Sequence, residues 1–169
     1  LAFHTYVRNG DYVDEVYLFA SLEDGELFYR PSGWDADDLL SNCHHNGVNA
    51  LPDPWGIYYC AEGDLEHALL YSPALYDRFI NHLEALILEV MPYEAIVSAV
   101  FMVRDALFSH LNEEEVCGAM VELINANPEA ATCAGAKGDI ESQMQAFLSG
   151  ISQRSANLLN LIEAYRAAQ

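Results

Sequence analysis

Cys43, His44 and His45 stand together, with Cys60 and His67 downstream, and these are the residue types that bind zinc or run nucleophilic catalysis. Structural zinc sites pair their ligands at C-x2–4-C or H-x3–5-H, a spacing absent here. Adjacent residues on a helix, as Cys43 and His44 would be, point about 100° apart and rarely share one ion. The expected reading is a buried cysteine beside solvent-facing histidines, with no metal and no cofactor. A Cys–His nucleophile would draw on Cys43 or Cys60 with His67 or His82, and no local pattern supports that pairing. Asp35, Asp37 and Asp38 offer carboxylates for Ca²⁺ or Mg²⁺, without the EF-hand pattern and with Asp35 better used as a helix cap. Gly135-Ala136-Lys137-Gly138 lacks the Walker spacing and its Ser or Thr, and G-x-S-x-G is absent.

The elements that would position these residues change character along the chain. The first 63 residues read as β-rich. Asn9-Gly10 signals a hairpin after His4–Arg8, and Asp24-Gly25 signals another between Val16–Ser21 and Glu26–Arg30. A short helix is expected from Ala36 to about Asn46, stopped by Gly47. Trp55–Ala61 reads as a further strand beyond the rigid Pro52-Asp53-Pro54 loop. From Asp64 the period is helical. One helix runs to about Tyr71. A second starts at Ser72-Pro73, carries Leu75, Phe79, Leu83, Leu86, Ile87 and Val90 on one face, and ends at Pro92. Glu94–Leu111 is apolar nearly all round, which suits the buried centre of a bundle. Asn112 opens a capping box with Glu115, and Asn127-Pro128 breaks that helix. Residues 129–138 read as a small-residue loop. Asp139 is expected to cap the last helix, from Ile140 to about Ala168 and roughly 43 Å long. Its apolar stripe, Ile140, Met144, Phe147, Ile151, Leu158, Ile162 and Tyr165, has heptad-like spacing.

The charge is the strongest global signal. There are 26 acidic residues against seven Lys plus Arg, a formal net charge of −19. The field is uneven: residues 1–70 hold 13 acids and two arginines, whereas residues 129–169 hold four acids and three bases. Spread evenly over roughly 8,300 Å² of folded surface, the density is about a quarter of that of duplex DNA. Such a field repels nucleic acid and anionic membrane and favours basic protein surfaces. Apolar residues make up 52 % of the chain, so the acid sits on a folded body rather than a disordered tail. No apolar run approaches the length of a membrane span. Four cysteines without a C-x-x-C pair suit a reduced, cytoplasmic protein.

The expected fold is α+β: a small N-terminal antiparallel sheet with one helix over residues 1–63, then a helical bundle over 64–169 ending in a long amphipathic helix, the whole packed as one compact domain. The expected role is that of a non-enzymatic inhibitor or regulator. It would occupy a basic surface of a partner protein, in the manner of DNA-mimic anti-defence or toxin-immunity proteins, without binding nucleic acid or membrane itself. The contact residues would be Glu23, Asp24, Glu26, Asp35, Asp37, Asp38, Glu113, Glu114 and Glu115. Two alternatives stand beside it. One is a dimeric secretion-type chaperone or adaptor paired through the C-terminal stripe, whose competing use is packing onto Glu94–Leu111. The other is a hydrolase using the Cys/His region.

Overall fold

The computed structural model describes residues 1–10, 16–33, 39–41, 43, 53–60, 64–110, 118 and 133–169. The described architecture is α+β: a two-stranded antiparallel sheet and a mostly helical remainder. The elements are α1 (Ala2–Val7), β1 (Val16–Glu23), β2 (Glu26–Gly33), α2 (Asp64–Tyr71), α3 (Pro73–Ala85), α4 (Tyr93–His110) and α5 (Cys133–Ala167). Two compact units form. One comprises Leu1–Val90 with Arg154–Gln169, the other Met91–Gln153.

In the first unit, the β1–β2 hairpin follows from its turn. Asp24 (φ 52°) and Gly25 (φ 86°) both adopt the left-handed conformation that a tight two-residue hairpin turn requires, and Glu23 pairs with Glu26 across it. Leu22, Leu27 and Tyr29 on this hairpin are exposed.

The other N-terminal signals resolve differently from the expectation. His4–Arg8 belongs to helix α1 and its cap rather than to a strand. His4, Thr5, Tyr6 and Val7 are all buried, so packing on every side overrides the strand preference of a β-branched, aromatic run. The run at Trp55 is not a strand either: residues 54–60 are turns and irregular backbone. The helix expected from Ala36 lies largely outside the described residues, and residues 39–41 form a turn and an irregular step.

Asp53 explains the backbone at 54–60. Its carboxylate accepts the Trp55, Ile57 and Tyr58 backbone N–H groups at 3.0, 2.8 and 2.6 Å. The Gly56 N–H closes onto the Asp53 carbonyl at 3.0 Å, with Gly56 at φ 66°. N–H groups satisfied by a carboxylate cannot join a sheet ladder. The Tyr76 hydroxyl donates to both Asp53 oxygens at 3.0 and 2.8 Å, fastening this loop to α3.

Helix α3 starts as its sequence implies, with Ser72 extended at the N-cap and Pro73 in the first turn. Its buried face is Tyr76, Phe79, Ile80 and Leu83, continued by Ile87 in a π-helical turn over Leu86–Val90. Leu75 and Val90 of the expected face are exposed. Helices α1 and α2 pack on α3. From α5, Leu158, Ile162 and Tyr165 are buried, and Tyr165 donates to Asp77 on α3 at 2.5 Å. The Tyr6 hydroxyl meets Ser155 Oγ at 3.0 Å, tying α1 to α5.

The second unit contains α4 and the first part of α5. Helix α4 is not the buried centre its sequence suggests: Ile96 is buried, but Met102 and Val103 are 69 % and 63 % exposed. Val100, Val103, Leu107, Ile140, Met144 and Phe147 line an open apolar groove of about 480 Å³. Helix α5 begins at Cys133, so part of the expected 129–138 loop is helical and Asp139 lies inside the helix rather than at its cap. Alanine and lysine among residues 133–138 favour helix enough to carry the two glycines there. Of the C-terminal stripe, Ile151, Leu158, Ile162 and Tyr165 are buried within the single chain, while Ile140, Met144 and Phe147 line the groove. No single helix among the described residues is long and apolar enough to cross a membrane.

Because Asp53 satisfies three backbone donors and a phenol at once, Asp53→Ala is expected to cost about 3 kcal/mol in urea unfolding and Tyr76→Phe about 1 kcal/mol. Equal losses in the two variants would show that the Tyr76 bond, rather than the backbone bonds, carries the loop.

Candidate functional site

Helix α1 ends on an unusual residue. Arg8 takes the left-handed conformation (φ 50°, ψ 52°), a position that commonly falls to glycine, and its N–H returns to the His4 carbonyl. The turn is held by its surroundings. Asn9 is fully buried, with Nδ2 3.5 Å from His4 Nδ1, and the Asn9 N–H also reaches the His4 carbonyl at 3.1 Å. This geometry sends the Arg8 guanidinium over the Tyr59 ring, 4.9 Å from its centroid.

Residues 40, 41 and 43 are each stitched beside this turn. The Leu40 N–H donates to the Val7 carbonyl at 2.8 Å, the Tyr59 hydroxyl donates to the Ser41 carbonyl at 2.6 Å, and Cys43 is joined to Cys60 in a disulfide. Leu40 and Cys60 both have positive φ. Cys60 Sγ lies 3.9 Å from the Gly10 carbonyl oxygen, a contact rather than a hydrogen bond because a disulfide sulfur has no proton to give.

Arg154 of α5 completes the cluster. Its Nη2 donates to the Thr5 carbonyl at 2.9 Å and to the Ile57 carbonyl at 3.5 Å, while its buried Nε has no partner. Burial, and then the like charge of Arg8, bring its pKa down to about 10. Two guanidinium groups thus act on one another in a strongly acidic chain, and no ion pair joins either to a carboxylate among the described residues. Guanidinium groups are the side chains best suited to phosphate, by charge and by their planar set of donors.

The residues expected from sequence fall elsewhere. Glu23 and Glu26 face each other on the exposed hairpin, where Glu23 pairs with Arg30 at 2.6 Å, and Asp24 sits in the turn. Asp35, Asp37, Asp38, His44, His45, Glu113, Glu114 and Glu115 lie outside the described residues. His67 is on α2, with Nε2 buried and unpartnered. His82 is exposed on α3. The disulfide removes Cys43 and Cys60 as thiolate ligands or nucleophiles, which corrects the expectation of reduced cysteines at these two positions. Among the described residues, no three His, Cys, Asp or Glu side chains gather as metal ligands. Sequence reasoning missed Arg8, Arg154 and Tyr59. The available signal was scarcity: with seven cations in the chain, each arginine is informative.

His4, which backs the Arg8 turn, is held neutral. Burial lowers its pKa from 6.5 to about 4. Between those values the unfolded chain binds a proton that the folded chain refuses, so His4 makes stability fall as pH drops from about 6.5 to about 4. His4→Gln lacks this dependence, so the wild-type-minus-variant difference in urea midpoint is expected to fall as pH drops through this window. A difference independent of pH would mean that His4 protonates freely in the folded protein.

No curated protein and no solved structure shows a significant match to the chain. The family described as CotH kinase protein matches residues 1–134, a span that includes the Arg8 turn, the hairpin and the Asp53 loop. With most of its 169 residues covered by that match, this chain belongs to the CotH kinase protein family.

Proposed function

We propose that this chain is a phosphoryl-transfer domain acting on a basic protein partner. Membership of a family described as kinase, over residues 1–134, carries the reading. Phosphoryl transfer is mostly positioning and charge stabilisation, and it needs cations on the phosphates and carboxylates for Mg²⁺. Arg8 and Arg154 supply the first. Asp35, Asp37 and Asp38 are candidates for the second: they immediately precede the 39–43 segment in sequence, and carboxylate donors suit Mg²⁺. Magnesium would neutralise charge developing on the phosphate oxygens. The arginines would bind and orient the phosphates. The net charge of −19 would draw in a basic acceptor and speed its association at low salt.

The same charge favours a second reading: an inhibitor that occupies a basic surface without catalysis, through Glu23, Asp24, Glu26, Asp35, Asp37, Asp38 and Glu113–Glu115. The apolar groove of the second unit is what a chaperone, adaptor or homodimer would use. The Cys43–Cys60 disulfide favours an oxidising compartment over the cytoplasm expected from cysteine spacing.

Incubation with labelled ATP, Mg²⁺ and a lysine- and arginine-rich acceptor protein tests the first reading. Label transfer is expected to depend on the metal. It should fall by about two orders of magnitude in Arg8→Ala and in at least one of Asp35→Asn, Asp37→Asn and Asp38→Asn. Absence of transfer, together with acceptor binding at about 50 mM salt that is lost at about 500 mM, would replace catalysis with the inhibitor reading. Charge reversal at 35, 37 and 38 or at 113–115 should then weaken that binding.

A further inference from the structure

A second site lies apart from the arginine pair. Pro54, Trp55, Tyr71, Pro73, Tyr76 and Tyr165 line a cup of about 200 Å³. Trp55 and Tyr165 meet edge to face at 5.2 Å, and Tyr76 and Tyr165 at 5.3 Å, so the aromatic wall is braced. Tyr71, 74 % exposed, stands at the mouth.

The chemistry of this cup is one-sided. The Tyr76 hydroxyl is turned to the Asp53 carboxylate and the Tyr165 hydroxyl to Asp77. Burial, then these bonds, push both phenols above their ordinary pKa, so they remain protonated donors. A phenol donating to a carboxylate carries a more electron-rich ring, and two carboxylates stand behind the wall. None of the lining residues is cationic. Arg166, next to Tyr165 in sequence, is held by Glu84 at 2.7 Å and by Asn81 at 3.0 Å. Negative ring faces backed by carboxylates attract a cation and repel an anion. A primary ammonium gives up strong hydrogen bonds to water on entering an aromatic recess, whereas a methylated one presents apolar methyl groups to the rings and gives up few.

We propose that this cup binds a quaternary ammonium group of the choline type, independently of any phosphoryl transfer. The test is calorimetric titration of the intact chain with choline and, in parallel, with 3,3-dimethylbutanol, the neutral isostere of the same shape. Choline should bind saturably, and the isostere at least about tenfold more weakly, since desolvated cation–π contacts contribute on that scale. Tyr71→Ala, at an exposed position, and Trp55→Leu should each weaken choline binding by up to about tenfold while the circular dichroism spectrum stays unchanged. Equal binding of choline and the isostere would reduce the cup to an apolar recess. No choline binding, or binding unaffected by both substitutions, would also overturn the proposal.

Discussion

The Asp53 carboxylate is the interaction on which the described N-terminal unit hinges. Residues 53–60 carry backbone donors that need partners when they are packed against the core. One carboxylate takes three of those donors and a phenol, turning a segment rich in strand-forming side chains into a compact turn. Everything placed by that turn inherits its position. Ile57 enters the core, Trp55 meets Tyr165, and Tyr59 reaches residue 41. Through Tyr76 the same charge also sets the α3 face against which α5 closes.

Local strain at Arg8 belongs to the same construction. A left-handed arginine costs on the order of 1 kcal/mol and persists only when its surroundings determine it. Here the buried Asn9, the neutral His4 and the Leu40 bond to Val7 do so. The consequence is a guanidinium held over the Tyr59 ring, whose charge is felt by the buried Arg154. Unlike the solvated hairpin pair Arg30–Glu23, which is worth little, this pair combines like charge with an unpartnered buried donor. Under the proposed function that unpaired charge is what an anion would meet, in a chain whose overall field repels one.

The opposition between local and global charge unifies the functional reading. A chain at −19 can hold a phosphate only where cations are concentrated and water is thinned, and under the proposed function its field elsewhere would attract basic protein surfaces. Family membership brings phosphoryl transfer into the question. In the proposed function, acids that would bind a partner and cations that would bind phosphate are complementary rather than rival features.

Sequence alone determined what is decided by neighbours in the chain. Asp24-Gly25 made a hairpin because both turn residues tolerate positive φ. Ser72-Pro73 opened a helix because its cap is local, and the charge followed from composition. The α+β class was legible for the same reason. Tertiary structure decided what depends on distant partners. His4–Val7 became helix because burial on all sides outweighed its strand preference, and Trp55 entered a turn because Asp53 took its backbone donors. Helix α4, apolar all round, kept Met102 and Val103 exposed, since periodicity reports which residues are apolar but not what covers them. The arginine pair joins residues 8 and 154, which no spacing rule relates, and only the fold could bring those two charges together.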